Sequence, residues 1–408
     1  MTKDGDKPRR GALRADRALM HEEGACLPLR SKHGQCRACA QACPTQALQV
    51  SLAVVELSEA CIGCGQCVAA CPTEALMLPG LQSVFDVRAH RDPSLPDEPP
   101  AERPIRVECR KVPPDRLAPG TLVLPCTGAL TTGVVLAHEA QGQGLQLVDR
   151  GWCQGCEANG RSDAAGHPAQ AALETARLWL SAMDVPSHSA IAIEPLPLAL
   201  RPTTIPEPEA VEPGIGRRSF FRAALERPAG RDRAKPIPMG GDGRAAYPAS
   251  ERRAAPERTR VLQAMRRLAE QAEREVPAEV FAAIHVSGDC CDRRMCVALC
   301  PTAALTVADN GIGAHLQFDA QRCISCGVCE RACPEGALQL TPHGGRPGVH
   351  TLISHHRRSC RSCGERYTPH QLADPSDGSS EAPSLCPSCK KSQSFMDDAR
   401  RQLFGSLN

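Results

Sequence analysis

"CIGCGQCVAACPTEALML", residues 61–78, decides how this chain is read, because it aligns without a gap on "CISCGVCERACPEGALQL", residues 323–340. Each copy holds a C-x2-C-x2-C-x3-C-P run: Cys61, Cys64, Cys67 and Cys71 before Pro72, and Cys323, Cys326, Cys329 and Cys333 before Pro334. Three thiolates three residues apart on a tight loop can wrap three irons of one cubane. The fourth, further on, points the other way to a second cluster, and the proline is expected to start the following helix. A zinc site uses paired C-x2-C knuckles and would leave the third cysteine idle. The spacing is that of 4Fe-4S binding.

Each regular run is preceded by an irregular version of itself. In "HGQCRACAQACP", residues 33–44, Cys36, Cys39 and Cys43 are in register, but His33 stands where the first cysteine belongs, and Cys26 lies seven residues earlier. In "GDCCDRRMCVALCP", residues 288–301, Cys290, Cys296 and Cys300 are in register, Arg293 takes the second position, and Cys291 sits beside Cys290. Both units resemble two-cluster bacterial ferredoxins, over about residues 26–80 and 285–341. The resemblance implies that Cys61, Cys64, Cys67 and Cys43 hold one 4Fe-4S cluster, while Cys36, Cys39 and Cys71 hold its neighbour with a fourth ligand, Cys26 or His33. Cys26 is favoured, since thiolate is the usual ligand and a longer loop costs little extra closure entropy. The same crossing implies Cys323, Cys326, Cys329 and Cys300 for a third cluster, and Cys296 and Cys333 with Cys290 and Cys291 for a fourth. If the adjacent pair cannot both reach it, that site holds 3Fe-4S. The flanking "AVVEL" and "EALML" read as strands of the compact antiparallel ferredoxin unit.

Between the two units the pattern changes to strand and helix in alternation. "PIRVEC" ends at Cys109, "TLVLPC" at Cys126, and "LQLVDRGWCQGC" runs toward Cys153 and Cys156; "GALTTGVVLAHEAQGQG" and "AQAALETARLWLSAM" have helical patterns. Alternation argues for a small parallel sheet whose strand ends share one edge, where the four cysteines converge. On "PCTGAL" and "CQGCEANG", residues 103–185 resemble the delta subunit of methyl-viologen-reducing hydrogenases, a carrier that passes electrons to heterodisulfide reductase. That resemblance implies a 2Fe-2S cluster on Cys109, Cys126, Cys153 and Cys156; ligand type alone leaves zinc open. Near the C-terminus, Cys360 and Cys363 pair with Cys386 and Cys389 as two C-x2-C knuckles, resembling a zinc ribbon. His355 and His356, just before it, read as surface residues, since four cysteines already satisfy the metal.

The expected fold class is therefore α+β multidomain: two ferredoxin-like dicluster modules, a small parallel α/β domain between them, and a zinc ribbon. The boundaries are a flexible N-terminus over 1–25, the first module over 26–80, a linker over 81–102 and the α/β domain over 103–185. A Pro- and Arg-rich linker follows over 186–256, with twelve prolines, then a helix and the second module over 257–345, the ribbon over 346–395 and a tail over 396–408. Val261, Leu262, Met265, Leu268, Ala269 and Ala272 recur at helical spacing, and this helix is expected to pack on the module that follows it.

Composition agrees with small, metal-stapled modules. The 408 residues include 24 Cys, 36 Pro and 33 Gly but only seven Phe, two Trp and two Tyr, too few large rings for one big core. The N-terminus lacks a complete Sec or Tat signal and the cysteines fall in metal-type clusters, so a reducing cytoplasm is expected. No stretch reaches membrane-spanning length. A net charge of +2 does not point to nucleic acid.

No nucleophile with a base, no P-loop and no dinucleotide fingerprint occurs, which leaves nothing positioned to transform an organic substrate. The expectation is a non-catalytic electron-transfer subunit serving a redox enzyme complex or carrier protein. A hydrogenase, a formate dehydrogenase or a heterodisulfide-reductase-like enzyme fits that place; the alternative is an iron-sulfur and zinc accessory factor for assembling such an enzyme.

Overall fold

The computed structural model describes residues 10–14, 16–81, 104–160, 166–202, 255–310, 313–356, 358–367, 385–386, 388–389 and 391–396. The expected linker over 81–102, apart from Leu81, and the tail over 396–408, apart from Met396, lie outside them. The chain divides into two units, Met1–Val280 and Phe281–Asn408.

The first unit begins with β1 (Arg10–Ala12) and β2 (Met20–Glu22). It continues through the hairpin of β3 (Leu48–Val50) and β4 (Val55–Leu57) to β5 (Leu76–Met77), which pairs antiparallel with β2. β4 and β5 are the strands expected on either side of the regular run. The N-terminal stretch expected to be flexible instead supplies β1 and β2, and its Leu19, His21 and Glu22 are buried beside β5.

A parallel sheet follows, built from β6 (Ile105–Cys109), β7 (Leu122–Leu124), β8 (Leu145–Asp149) and β9 (Ala190–Ile193) in the order β7-β6-β8-β9. The helices Thr132–Glu139 and Gln170–Ala182 join its strands, and the parallel register puts Val107, Leu124, Leu145 and Leu147 on one face, where all four are completely buried; the other face carries Arg106, Glu108 and Gln146. β9 lies in the stretch read as linker; its "AIAI" completes the sheet because the carboxylate of Glu139 accepts from the backbone N–H groups of His188 (3.0 Å) and Ser189 (2.8 Å), tying the chain just before it.

The helix expected at 257 onwards spans Pro256–Ala272, and of the predicted stripe Val261, Leu262, Met265, Leu268 and Ala269 are buried while Ala272, at its end, is half-buried. It packs on Thr132–Glu139 in the first unit, not on the following module as expected. The reason lies in the partner helix, whose Gly133, Val134, Val135, Leu136, His138 and Glu139 are all buried and so need cover on more than the sheet side. Glu257 fixes the docking: its carboxylate accepts from Gly133 N (2.7 Å) and Thr131 Oγ1 (3.0 Å). Arg260 bridges Glu257 to Glu74 of the first module (3.6 Å). Residues 203–254, which are not described, thus connect two elements of the same unit.

The second unit contains β10 (Ala283–Val286), β11 (Leu305–Asp309), β12 (Gly313–Asp319), β13 (Leu338–Thr341) and β14 (Val349–His356). β10 pairs with β13, and β11, β12 and β14 form an antiparallel sheet with β12 central. The short strands Arg358–Ser359 and Arg366–Tyr367 pair beyond it.

Candidate iron-sulfur centres

The two regular runs fold alike. Gly63 and Gly65 flank Cys64 with φ of 61° and 80°, and Ser325 and Gly327 flank Cys326 with φ of 52° and 66°. These left-handed residues turn the loop so that successive cysteines face inward. Each Cys-Pro turn ends the same way: Gln46, Glu74, Ala303 and Gly336 all have positive φ. In three of these turns the next residue donates its backbone N–H to the cysteine sulfur, from Ala47 to Cys43 (3.2 Å), Ala75 to Cys71 (3.2 Å) and Ala337 to Cys333 (3.3 Å). An alanine four residues after each of these cysteines, Ala304 included, was the unread sequence signal for this donor.

In the first module Cys43, Cys61, Cys64 and Cys67 line one cavity of about 30 Å³ with Leu48, Leu57 and Leu78. Cys26, Cys36, Cys39 and Cys71 line another of about 20 Å³. Cys26 reaches it through the extra residues before Cys36, which form the short helix Leu27–Arg30. The chain crosses that helix at Gly34, where a Cβ would stand 2.2 Å from the Leu27 carbonyl oxygen. His33 does not line the cavity. Burial, reinforced by Cys71, Cys39 and Cys36, pushes the Cys26 thiol up to about 12. Burial likewise raises Cys36 and Cys64, takes Cys39 to about 11 and lifts Cys67 well above the usual thiol value. Metal binding at such thiols is coupled to loss of their protons.

The second module repeats one of these sites closely. Cys300, Cys323, Cys326 and Cys329 line a cavity of about 20 Å³, and burial raises Cys326 and takes Cys329 to about 12. The other site differs. Cys296 interacts with Cys290 and Cys333, and burial raises Cys290 and takes Cys296 to about 11. Cys291 instead has Glu335 and Arg293 as its charged neighbours. Arg293 forms an ion pair with Glu335, and Asp292 and Arg294 adopt left-handed φ of 54° and 61°. His355 corrects an expectation: it is buried rather than on the surface, with Nε2 3.5 Å from Cys290 Sγ. The side chain of His356 is not described.

The parallel sheet brings Cys109, Cys126, Cys153 and Cys156 to one cavity of about 520 Å³, whose wall also includes Cys61, Ile62 and Cys64 of the first module. Burial raises Cys109 and pushes Cys126 and Cys153 up to about 12. Cationic and polar donors meet the sulfurs: Lys111 Nζ lies 3.5 Å from Cys156, and Gln66 Nε2 donates to Cys126 (3.7 Å) and to the Ala158 carbonyl (2.5 Å). Gln66 is the residue between Cys64 and Cys67 that follows Gly65. Arg110 reaches back to the Ile62 carbonyl at 2.8 Å.

Sulfur spacing marks out one further group. A single tetrahedral metal with bonds of about 2.3 Å holds its thiolates about 3.8 Å apart. The ligand atoms of Cys360, Cys363, Cys386 and Cys389 all lie within 4.8 Å of one another, so this group could hold one metal ion. There the Cys386 N–H donates to Cys360 Sγ (3.3 Å), pulling that thiol down to about 6. Among the described residues, no other set of three or more His, Cys, Asp or Glu is gathered so closely.

Comparison with known proteins agrees with these loops. Residues 54–77 and 316–339 match the 4Fe-4S binding domain family. Both segments are 4Fe-4S binding domains. The chain is 40% identical over 65 residues to a thiosulfate reductase electron transfer subunit of Salmonella typhi, covering 16% of this chain and 32% of that protein. It is 37% identical over 65 residues to a tetrathionate reductase subunit of Archaeoglobus fulgidus, covering 16% and 30%. It is 31% identical over 81 residues to an NADH-quinone oxidoreductase subunit of Geobacter metallireducens, covering 17% and 62%. The chain thus spans about a third to under two thirds of the length of these relatives. Among the described residues no helix is long and apolar enough to cross a membrane.

Proposed function

We propose that this chain is an electron relay: a cytoplasmic iron-sulfur subunit carrying four cubane clusters, a further cluster in the parallel-sheet domain, and zinc in the C-terminal cysteine group. Its partners are a redox enzyme complex and a second carrier, of the kind served by the reductase subunits it resembles. When bound, such clusters supply reversible one-electron reduction. The chain's own residues hold the thiolates, line the two small cavities of the first module with apolar side chains, and place hydrogen-bond donors on the sulfurs.

One observation carries the reading. Cys61 and Cys64 of the first module and the four cysteines of the parallel sheet line a common cavity, with Gln66 bonded across it. A purely structural zinc would gain nothing from standing against a neighbouring cluster site, and its ligands would be drawn closer together. A redox centre there has a direct neighbour with which to exchange electrons. Lys111, Arg110, Arg17 and Arg201 around the same cavity offset the negative charge of a tetrathiolate cluster.

The test is anaerobic purification with iron, sulfide and zinc analysis and electron paramagnetic resonance. The relay requires about 16 cubane irons, or one fewer if one site holds 3Fe-4S, with about two more in the parallel-sheet domain. Recovery of zinc alone, without acid-labile sulfide, refutes it.

A further inference from the structure

The irregular site of the second module has three grouped thiolates, Cys290, Cys296 and Cys333, where the others have four. Cys291 has turned to Glu335 and Arg293, and Arg293 occupies the position of the missing ligand. Facing Cys290 is His355, 8% exposed, at 3.5 Å from Nε2 to Sγ. Its place is set by the sheet: β14 pairs with the central strand β12 with Ala314 opposite His355, and Ala314 is completely buried.

We propose that His355 is a positioning residue for this site, donating Nε2–H to the Cys290 thiolate and raising the reduction potential of the cluster held there. The inference rests on the reading that Cys290, Cys296 and Cys333 hold a cluster. Distance argues against His355 as the missing ligand. Metal–thiolate bonds of about 2.3 Å radiate outward from the corners of a cluster, so atoms ligating neighbouring irons diverge. A separation of 3.5 Å is instead that of an N–H···S hydrogen bond. Such a donor stabilises the extra negative charge of the reduced cluster, and hydrogen bonds to sulfur are among the levers that set potential. It is the side-chain counterpart of the backbone donation to Cys43, Cys71 and Cys333.

The test uses the full chain, isolated anaerobically, with His355→Leu to remove the donor and His355→Gln to restore an amide donor. Redox titration followed by electron paramagnetic resonance should show the leucine variant retaining its iron but holding this one cluster at a lower midpoint. At the wild-type midpoint its oxidised-to-reduced ratio should rise about three- to tenfold, a tenfold change being about 59 mV for one electron. Glutamine should recover at least half of the shift. An unchanged midpoint in a fully loaded leucine variant overturns the inference, as does loss of an iron that His355→Cys restores, which would make His355 a ligand. In the wild-type protein with 15N-labelled histidine, a weak hyperfine coupling supports the hydrogen bond; a coupling typical of bound nitrogen, or none, overturns it. Iron content unaffected by Cys290→Ala, which leaves no ligand atom at that corner, would refute the parent reading as well, and the iron count distinguishes that failure from an unmoved potential.

Discussion

Glu257→Ala offers the sharpest measure of what holds the Pro256–Ala272 helix in place. The carboxylate receives Gly133 N at 2.7 Å and Thr131 Oγ1 at 3.0 Å, at the N-terminus of the helix Thr132–Glu139. Thr131 already caps that helix by accepting from Val134 N at 3.2 Å, so the substitution leaves the Gly133 N–H without its acceptor. Hydrogen bonds to a charged group contribute about 1.5–3 kcal/mol each. The Glu257 side chain is 22% exposed and water can partly replace it, so the lower end applies, about 3 kcal/mol for the pair. At about 1.4 kcal/mol per factor of ten, local opening should become about a hundredfold more frequent. Arg260 keeps Glu74 as a partner, which limits secondary damage. Native-state hydrogen exchange is the assay, because a multidomain cluster protein does not unfold in one step. Protection over residues 132–136 and 261–269 should fall together, and Gly133→Ala, whose Cβ would stand 2.6 Å from Glu257 Oε1, should reproduce the loss. Protection unchanged within about threefold in Glu257→Ala would refute the docking argument.

Three further outcomes follow from the cysteine sites. Cys26→Ala should convert the N-terminal site lined by Cys36, Cys39 and Cys71 to a three-iron signal, while His33→Ala leaves the iron count intact; the reverse pattern would make His33 the ligand. Gln66→Leu should lower the midpoint of the parallel-sheet centre by removing the donor to Cys126, with its spectrum retained; an unmoved midpoint would deny that the bond reaches a redox-active sulfur. The metal-free protein should lose stability as pH rises. Cys26, Cys126, Cys153 and Cys329 hold their protons in the folded state up to about 12, against 9.0 for an ordinary thiol. Below 9.0 both states are protonated and the effect vanishes; between 9.0 and about 12 the unfolded chain alone ionises, so folding weakens. Denaturant midpoints that stay level between about pH 8 and pH 10.5 would contradict this.

The legible part of this protein was its local part. The C-x2-C-x2-C-x3-C-P runs and the strands leading to Cys109 and Cys126 could be read directly, because ligands separated by two or three residues are placed by the loop that contains them. The parallel sheet was legible too, since only strands whose ends share an edge bring four scattered cysteines together. Other elements depended on contacts that no spacing records. The Val261–Ala269 stripe announced a buried helix face but not its partner, and the partner proved to be Thr132–Glu139, more than a hundred residues earlier.

What the sequence determined by itself, then, is the spacing of the cysteines and the loops that carry them. Tertiary structure decided which spare residue stands at each irregular corner. Cys26 enters its cavity because the helix Leu27–Arg30 and bare Gly34 let the chain double back; Cys291 turns out to Glu335; His355 is carried to Cys290 by the pairing of β14 with β12. It also decided that Gln66 should span to Cys126, sixty residues away. The physical reason is the same in each case: local spacing sets which atoms a loop can offer, but only the packing of distant segments sets which of those atoms meet.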